Sequence, residues 1–133
     1  MPSSIFTKII NREIQSEIIS ENKECIAFLD SNPLTIGHTL VIPKKEKDYI
    51  FDLGDLDYAN LMLFAKDIAI ILKQAIPCKR IGMGITGFGV AHAHVHLVPI
   101  NSTSDMGDLN KTIIISALEL KEIADHIRKY VIL

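Results

Sequence analysis

Cysteine is scarce in this chain: Cys25 and Cys78 are the only two among 133 residues, and they form no CxxC pair. Two isolated thiols suit a reduced, cytoplasmic protein better than a disulfide scaffold, although the sequence alone leaves a Cys25–Cys78 bridge open. Charge imbalance is also small. Fourteen Lys and Arg against sixteen Asp and Glu leave a formal charge of −2. Nothing there favours nucleic acid or an anionic membrane as partner. A small anionic ligand is still compatible, because its site needs only local donors. No apolar run reaches the roughly 18 residues of a spanning helix. Lys8, Arg12, Glu13 and Glu17 are at odds with a secretory signal. Repeats, low-complexity tracts and linkers are missing too, so one domain over residues 1–133 is expected, long enough for a core without staples.

What is present is a succession of short, well-punctuated elements. Phe6–Ile10 suits a short helix ending near Asn11. Glu17–Ile19 and Glu24–Leu29 read as strands with a turn at Asn22. Asp30–Pro33 (DSNP) is a turn signal, Gly37 opens the next element, and the β-branched stretch His38–Ile42 is stopped by Pro43. The clearest helix covers Asp55–Ala75, where Leu61, Phe64, Ile68, Ile71, Leu72 and Ala75 share one face. Met62, Leu63 and Ile70 widen the apolar surface beyond that face. Such a helix needs a second cover, which either a larger core or a second copy of the chain would supply. The stretch from Arg80 and the histidine-rich stretch after it suit two adjacent strands joined near Gly87. Asn101–Asn110 is a polar loop. Ser116–Glu119 is a capping box opening a last helix with Leu120, Ile123, Ile127 and Val131. The expected fold class is α+β: an antiparallel sheet of about five strands with one long helix, a short N-terminal helix and a C-terminal helix.

Three of the five histidines fall at alternate positions in AHAHVHLVPI: His92, His94 and His96. On a strand they share a face, with neighbours about 6–7 Å apart at Cα and the outer pair about 13 Å apart. A single metal ion needs its ligand nitrogens within roughly 3–4 Å of each other. An ion would therefore take two of the three plus a ligand from elsewhere, and no CxxC or HExxH supplies one. A purely structural row would have to satisfy three desolvated rings. The third reading is nucleophilic catalysis. A neutral imidazole attacks well near pH 7 when one nitrogen is free and the other is held as a donor. Attack on phosphorus gives a labile phosphoramidate, and the middle ring, His94, has a neighbour on each side to orient it.

The run His92–Val98 (HAHVHLV) resembles the His-φ-His-φ-His-φ-φ signature of the histidine triad (HIT) family of nucleotide hydrolases and transferases. Ser4–Ile19, Cys25–Lys44 and Val90–Pro99 are similar to successive blocks of that family, in order, and the short length is similar to its Hint-like branch. The resemblance implies a HIT-like fold, a homodimer and an AMP-like nucleotide as partner, with no cofactor. It implies a nucleotide-binding hydrolase or transferase that cleaves a phosphoramidate or phosphoanhydride at the α-phosphate of a purine nucleotide. The intermediate would be a nucleotidyl-His94. His96 would contact phosphate or assist proton transfer, His92 would hold the cluster by hydrogen bonds, and His38 would lie beside the triad. Asp30 would bind ribose hydroxyls, Phe28 and Leu29 would line the base pocket, and the backbone at Gly87 and Gly89 would serve an oxyanion. A dinucleoside polyphosphate hydrolase and a nucleotide-binding module with little turnover are the alternatives.

Two departures from the family pattern stand out. Many relatives carry Gln followed by Ser or Thr before the triad, where this chain has Phe88 and Gly89. Some carry a zinc site built on an N-terminal CxxC, where this chain has Ser4 and Thr7, so no metal is expected. Gly82–Gly87 matches GxGxxG, yet it runs into the histidine stretch and opens no helix, so a hairpin or close backbone approach is the better account. His126 reads as a solvated surface residue, and Lys44 and Lys45 as an ordinary charged loop in preference to a pair that steers an anionic nucleotide.

Overall fold

Residues 3–131 are described by the computed structural model. Five antiparallel strands form its centre: β1 (Ile18–Glu21), β2 (Cys25–Leu29), β3 (Thr39–Pro43), β4 (Arg80–Gly84) and β5 (Val95–Ile100). Their order across the sheet is β1-β2-β3-β5-β4. Asn22 makes the first turn. Its Oδ1 accepts from the amides of Glu24 at 2.9 Å and Cys25 at 2.7 Å, the side-chain-to-backbone bonding that suits Asn to turns. β2 and β3 are buried along their whole length, so alternation sends successive residues into two separate layers.

One layer lies under α2 (Asp55–Ala75) and α3 (Ala117–Arg128), where Cys25, Ala27, Leu29, Val41, Val95 and Leu97 meet Leu61, Ile68 and Leu72. The other lies under α1 (Ile5–Ile10), where Phe6 and Ile9 cover Ile26, Phe28, Leu40 and Ile42. The long helix has the expected bounds, with Asp55 and Asp57 in its first turn complementing the helix dipole. Leu56, Leu63 and Ile70, seven residues apart, point away from the sheet and are 74%, 62% and 50% exposed. α3 starts at the expected capping box, Ser116 Oγ accepting from the Glu119 amide at 3.1 Å.

Three expectations change. β1, β2 and β3 each begin one residue later than the sequence pattern places them. The histidine row is not a continuous strand: β5 starts at Val95, so only His96 belongs to it, while His92 and His94 lie in the approach to it. The ladder stops because the facing strand ends at Pro43, which has no N–H to donate. The β4–β5 connection is correspondingly a loop over residues 85–94 and not a tight turn near Gly87. His126 is exposed, as expected, and its Nε2 also bonds the Ala75 carbonyl at 2.8 Å, tying α3 to the end of α2. Both cysteines are free, which closes the question of a bridge.

The glycines of the GxGxxG stretch also find their explanation. Gly82 and Gly84 lie in β4 under the side chain of Met106, which fills the space where a Cβ on Gly82 would stand. Gly37 is needed for its backbone: it has φ +92°, and an added Cβ would lie 3.0 Å from Ile76 Cγ1. Both strain and contact oppose any side chain there. Gly37→Ala is therefore expected to destabilise the fold by about 1 kcal/mol or more, read as a lower urea midpoint, and an unchanged midpoint would contradict this account.

Candidate active site

The turn after β2 begins the site. Asp30 Oδ1 accepts from the Asn32 amide at 2.9 Å, and the chain then brings the Leu34 amide to His38 Nδ1 at 2.9 Å. An amide can only donate, so His38 Nδ1 accepts and the ring proton sits on Nε2. That Nε2 lies 3.0 Å from His96 Nδ1. His96 Nδ1 must then accept, which places its proton on Nε2, a donor with no protein partner among the described residues.

The same reasoning fixes the other two rings. His94 Nδ1 lies 2.7 Å from the main-chain oxygen of His92. A carbonyl can only accept, so His94 carries its proton on Nδ1 and keeps a bare lone pair on Nε2. His92 Nε2 donates to the Pro43 carbonyl at 2.8 Å, leaving its Nδ1 to accept from Ser4 Oγ at 2.9 Å. The rings of His94 and His96 meet edge to face at 5.0 Å, and Phe6 packs on His94 at 5.2 Å.

Burial sets the charge state. It pushes His38 down to about 4, and pushes His96 down to about 4 with help from the neighbouring His38 and His94. His92 is lowered for the same reason, opposed by its bond to the Pro43 carbonyl and by Glu46. Asp30 is raised by burial, against the pull of the Asn32 amide and of His96 and His94. At neutral pH three uncharged rings therefore surround His94.

His38, His92, His94, His96, Asp30 and Phe28 come together at the side of the sheet that α1 covers. Leu29 does not join them. Alternation along β2 turns it to the opposite layer, under α2, where it is 3% exposed. That corrects the expectation that it lines a base pocket beside Phe28. Gly87, Phe88 and Gly89 form the outer part of the 85–94 loop, with Phe88 83% exposed between two glycines of positive φ. Lys44 and Lys45 pair with Glu21 and Asp57. Sequence reasoning missed Phe6 as a wall of the site, along with the Pro43 carbonyl and Ser4 as partners of His92. Only the family-like block around Phe6 hinted at the first, and a backbone carbonyl leaves no trace in a sequence.

Two metal arrangements can be tested against these residues. Asp30, His38 and His96 offer ligand atoms within 4.8 Å of one another, so the fold does supply the outside ligands that spacing alone did not reveal. Their present arrangement is accounted for by the His38–His96 hydrogen bond. The zinc site that the family resemblance brings to mind does not fit. Ser4 and Thr7 offer neutral hydroxyls where a structural zinc wants thiolates, and both are hydrogen-bonded already.

The depressed histidines carry a stability signature. Their folded pKa values lie below 6.5, so the unfolded chain takes up protons the native state refuses as pH falls from 6.5 towards 4. Stability is full above pH 6.5 and is lost through that window. The urea midpoint should drop steadily between pH 7 and 4.5, less steeply in His96→Gln. A flat profile would show that the rings are not held neutral.

The HIT domain model matches residues 11–103. An uncharacterized HIT-like protein of Borreliella burgdorferi is 37% identical over 106 residues, covering 74% of this chain and 76% of the relative. The adenosine 5′-monophosphoramidase of Saccharomyces cerevisiae is 36% identical over 96 residues, 71% of this chain and 61% of the enzyme. Among solved structures, a Hit-like protein from Bartonella henselae superposes with a TM-score of 0.85 at 30% identity, covering 97% of this chain and 96% of that one. The triad, the sheet that carries it and these likenesses agree, and the chain belongs to the HIT domain family.

Proposed function

We propose that the protein is a nucleotide hydrolase or transferase that cleaves a phosphoramidate at the α-phosphorus of a purine nucleotide through a nucleotidyl-His94 intermediate. The bond from His94 Nδ1 to the His92 carbonyl carries this reading, because it leaves Nε2 as an unprotonated nucleophile with a fixed direction. As Nε2 bonds to phosphorus, the bond to the leaving nitrogen breaks and that nitrogen takes up a proton. The ring becomes cationic, and the carbonyl on Nδ1 stabilises it. Water then attacks phosphorus, loses a proton and releases neutral His94. His96 Nε2–H is the donor in place for a phosphate oxygen or the leaving group. Asp30, at the edge of the cluster, offers a carboxylate for ribose hydroxyls, and Phe28 with Phe6 gives the site its apolar wall. The likeness to the yeast adenosine 5′-monophosphoramidase supports an AMP-like substrate.

A second reading rests on Phe88. The family resemblance implies polar side chains just before the triad, and this chain places the exposed ring of Phe88 and Gly89 there. A site so equipped holds a nucleotide with fewer groups on the leaving side, as a slow enzyme or a binding module would, or accepts the larger leaving group of a dinucleoside polyphosphate. The protein acts as a cytoplasmic homodimer in this proposal. Its second copy would cover the stripe Leu56, Leu63 and Ile70, and β4 is free to meet a partner along its outer edge.

His94→Ala should lower kcat for an AMP phosphoramidate by about a thousandfold or more with the fold intact, and wild-type protein quenched during turnover should carry the nucleotidyl group on His94 by mass spectrometry. Sustained turnover in that variant would sink the mechanism, and bound AMP with no turnover in the wild type would favour the binding module. Sedimentation should give twice the chain mass, reduced to one in Leu63→Glu; a monomeric wild type would remove the dimer.

A further inference from the structure

His92 and His94 lie outside the sheet ladder, so something other than strand pairing must hold the proposed nucleophile in place. Two segments distant in sequence converge on them. From the end of β3 and the stretch after it, the Pro43 carbonyl holds His92 Nε2 and the Lys47 carbonyl accepts from the Ala93 amide at 2.6 Å. Glu46 of the same stretch reaches the start of α1. Its Oε1 accepts from the Ser4 amide at 2.7 Å and from Thr7 Oγ1 at 2.6 Å. Ser4 Oγ in turn accepts from the Thr7 amide at 3.0 Å and lies 2.9 Å from His92 Nδ1.

The direction of each bond follows from chemistry. A carboxylate only accepts, so it takes the Thr7 hydroxyl proton. Thr7 Oγ1 lies 3.5 Å from His92 Nδ1 and 3.3 Å from Ser4 Oγ, both longer than its bond to Glu46. Ser4 is thus left to give its proton to His92. We infer that Ser4, Thr7 and Glu46 form a clip that positions His94, acting through the His92 ring and its main-chain carbonyl. The exposed carboxylate anchors the Ser4 amide and the Thr7 hydroxyl, the Ser4 hydroxyl fixes the ring of His92, and the carbonyl of His92 aims the nucleophile. This inference rests on the reading of His94 as the nucleophile. All three act through His92 and are positioning residues.

Loosening the clip should misaim His94 and leave nucleotide binding nearly alone. In Glu46→Ala, kcat with an AMP phosphoramidate is expected to fall about tenfold, the rate equivalent of one hydrogen bond, with KM within about twofold of wild type. Glu46→Gln keeps an acceptor oxygen for Ser4 and Thr7 and should restore most of the lost rate. Ser4→Ala also removes the cap of α1, so Ser116→Ala serves as its control: it removes the cap of α3 and should leave kcat unchanged. Nitrogen-15 NMR of the histidine rings, without substrate, reads the geometry directly. The His94 Nδ1 proton should be slowly exchanging in wild type and fast or broadened in Glu46→Ala, with thermal unfolding confirming a folded variant. An unchanged kcat and an unchanged His94 Nδ1 signal in Glu46→Ala would overturn the clip, as would a rise in KM alone. If wild type hydrolyses no phosphoramidate, the functional reading fails, and the NMR comparison still decides the clip.

Discussion

One hydrogen bond, from His94 Nδ1 to the carbonyl of His92, determines how the rest of the site is read. It assigns the proton on His94, frees the opposite nitrogen and gives that nitrogen a direction. The surrounding bonds extend the assignment from ring to ring, because each has one end that can only donate or only accept: Leu34 amide, Pro43 carbonyl, Glu46 carboxylate. An isolated imidazole would exchange tautomers freely in water. Here four rings are each restricted to one. Burial contributes the second half, since desolvation disfavours a cation among three neighbouring rings.

The fold divides its labour between the faces of the sheet. The layer under α2 and α3 is a conventional aliphatic core, while the layer under α1 is smaller and ends in the histidines. α1 has six residues, too few to be stable alone. Its place is secured by Phe6 and Ile9 below and by the contacts of Ser4 and Thr7 at its start. The weakest helix is thus the one that leans on the site, so whatever ties it down also organises the chemistry.

Much of this was legible in the sequence, and the limits are physical. α2 was read to its residue bounds because helical periodicity repeats over 21 residues. The α3 cap was read because Ser116 and Glu119 form a local pair. The histidine row announced itself by spacing, but spacing could not say where the strand begins. That depends on Pro43, which faces the row from a strand some fifty residues away and cannot donate to it. The expectation that Leu29 shares a base pocket with Phe28 fails for a related reason: the two are neighbours in sequence and opposites in space. The tautomers were beyond reach altogether. They are set by backbone carbonyls and amides, which every residue has.

The hydroxyl–carboxylate clip bears on why the chain departs from the family pattern where it does. A tetrahedral zinc joins four side chains through bonds near 2 Å and tolerates little movement. Hydrogen bonds among Ser4, Thr7, Glu46 and His92 are individually weaker and screened by water at the exposed carboxylate. They hold only if their bearers are already close, which is why the two hydroxyls sit on one helical turn and Ser4 caps that helix. Capping and clipping are the same act here: the oxygen that accepts the Thr7 amide also gives its proton to His92. A carboxylate at position 46 then does what a bare hydroxyl pair cannot. By taking the Thr7 proton it leaves only one way for the remaining bonds to run, and the last of them ends on the nucleophile's backbone partner.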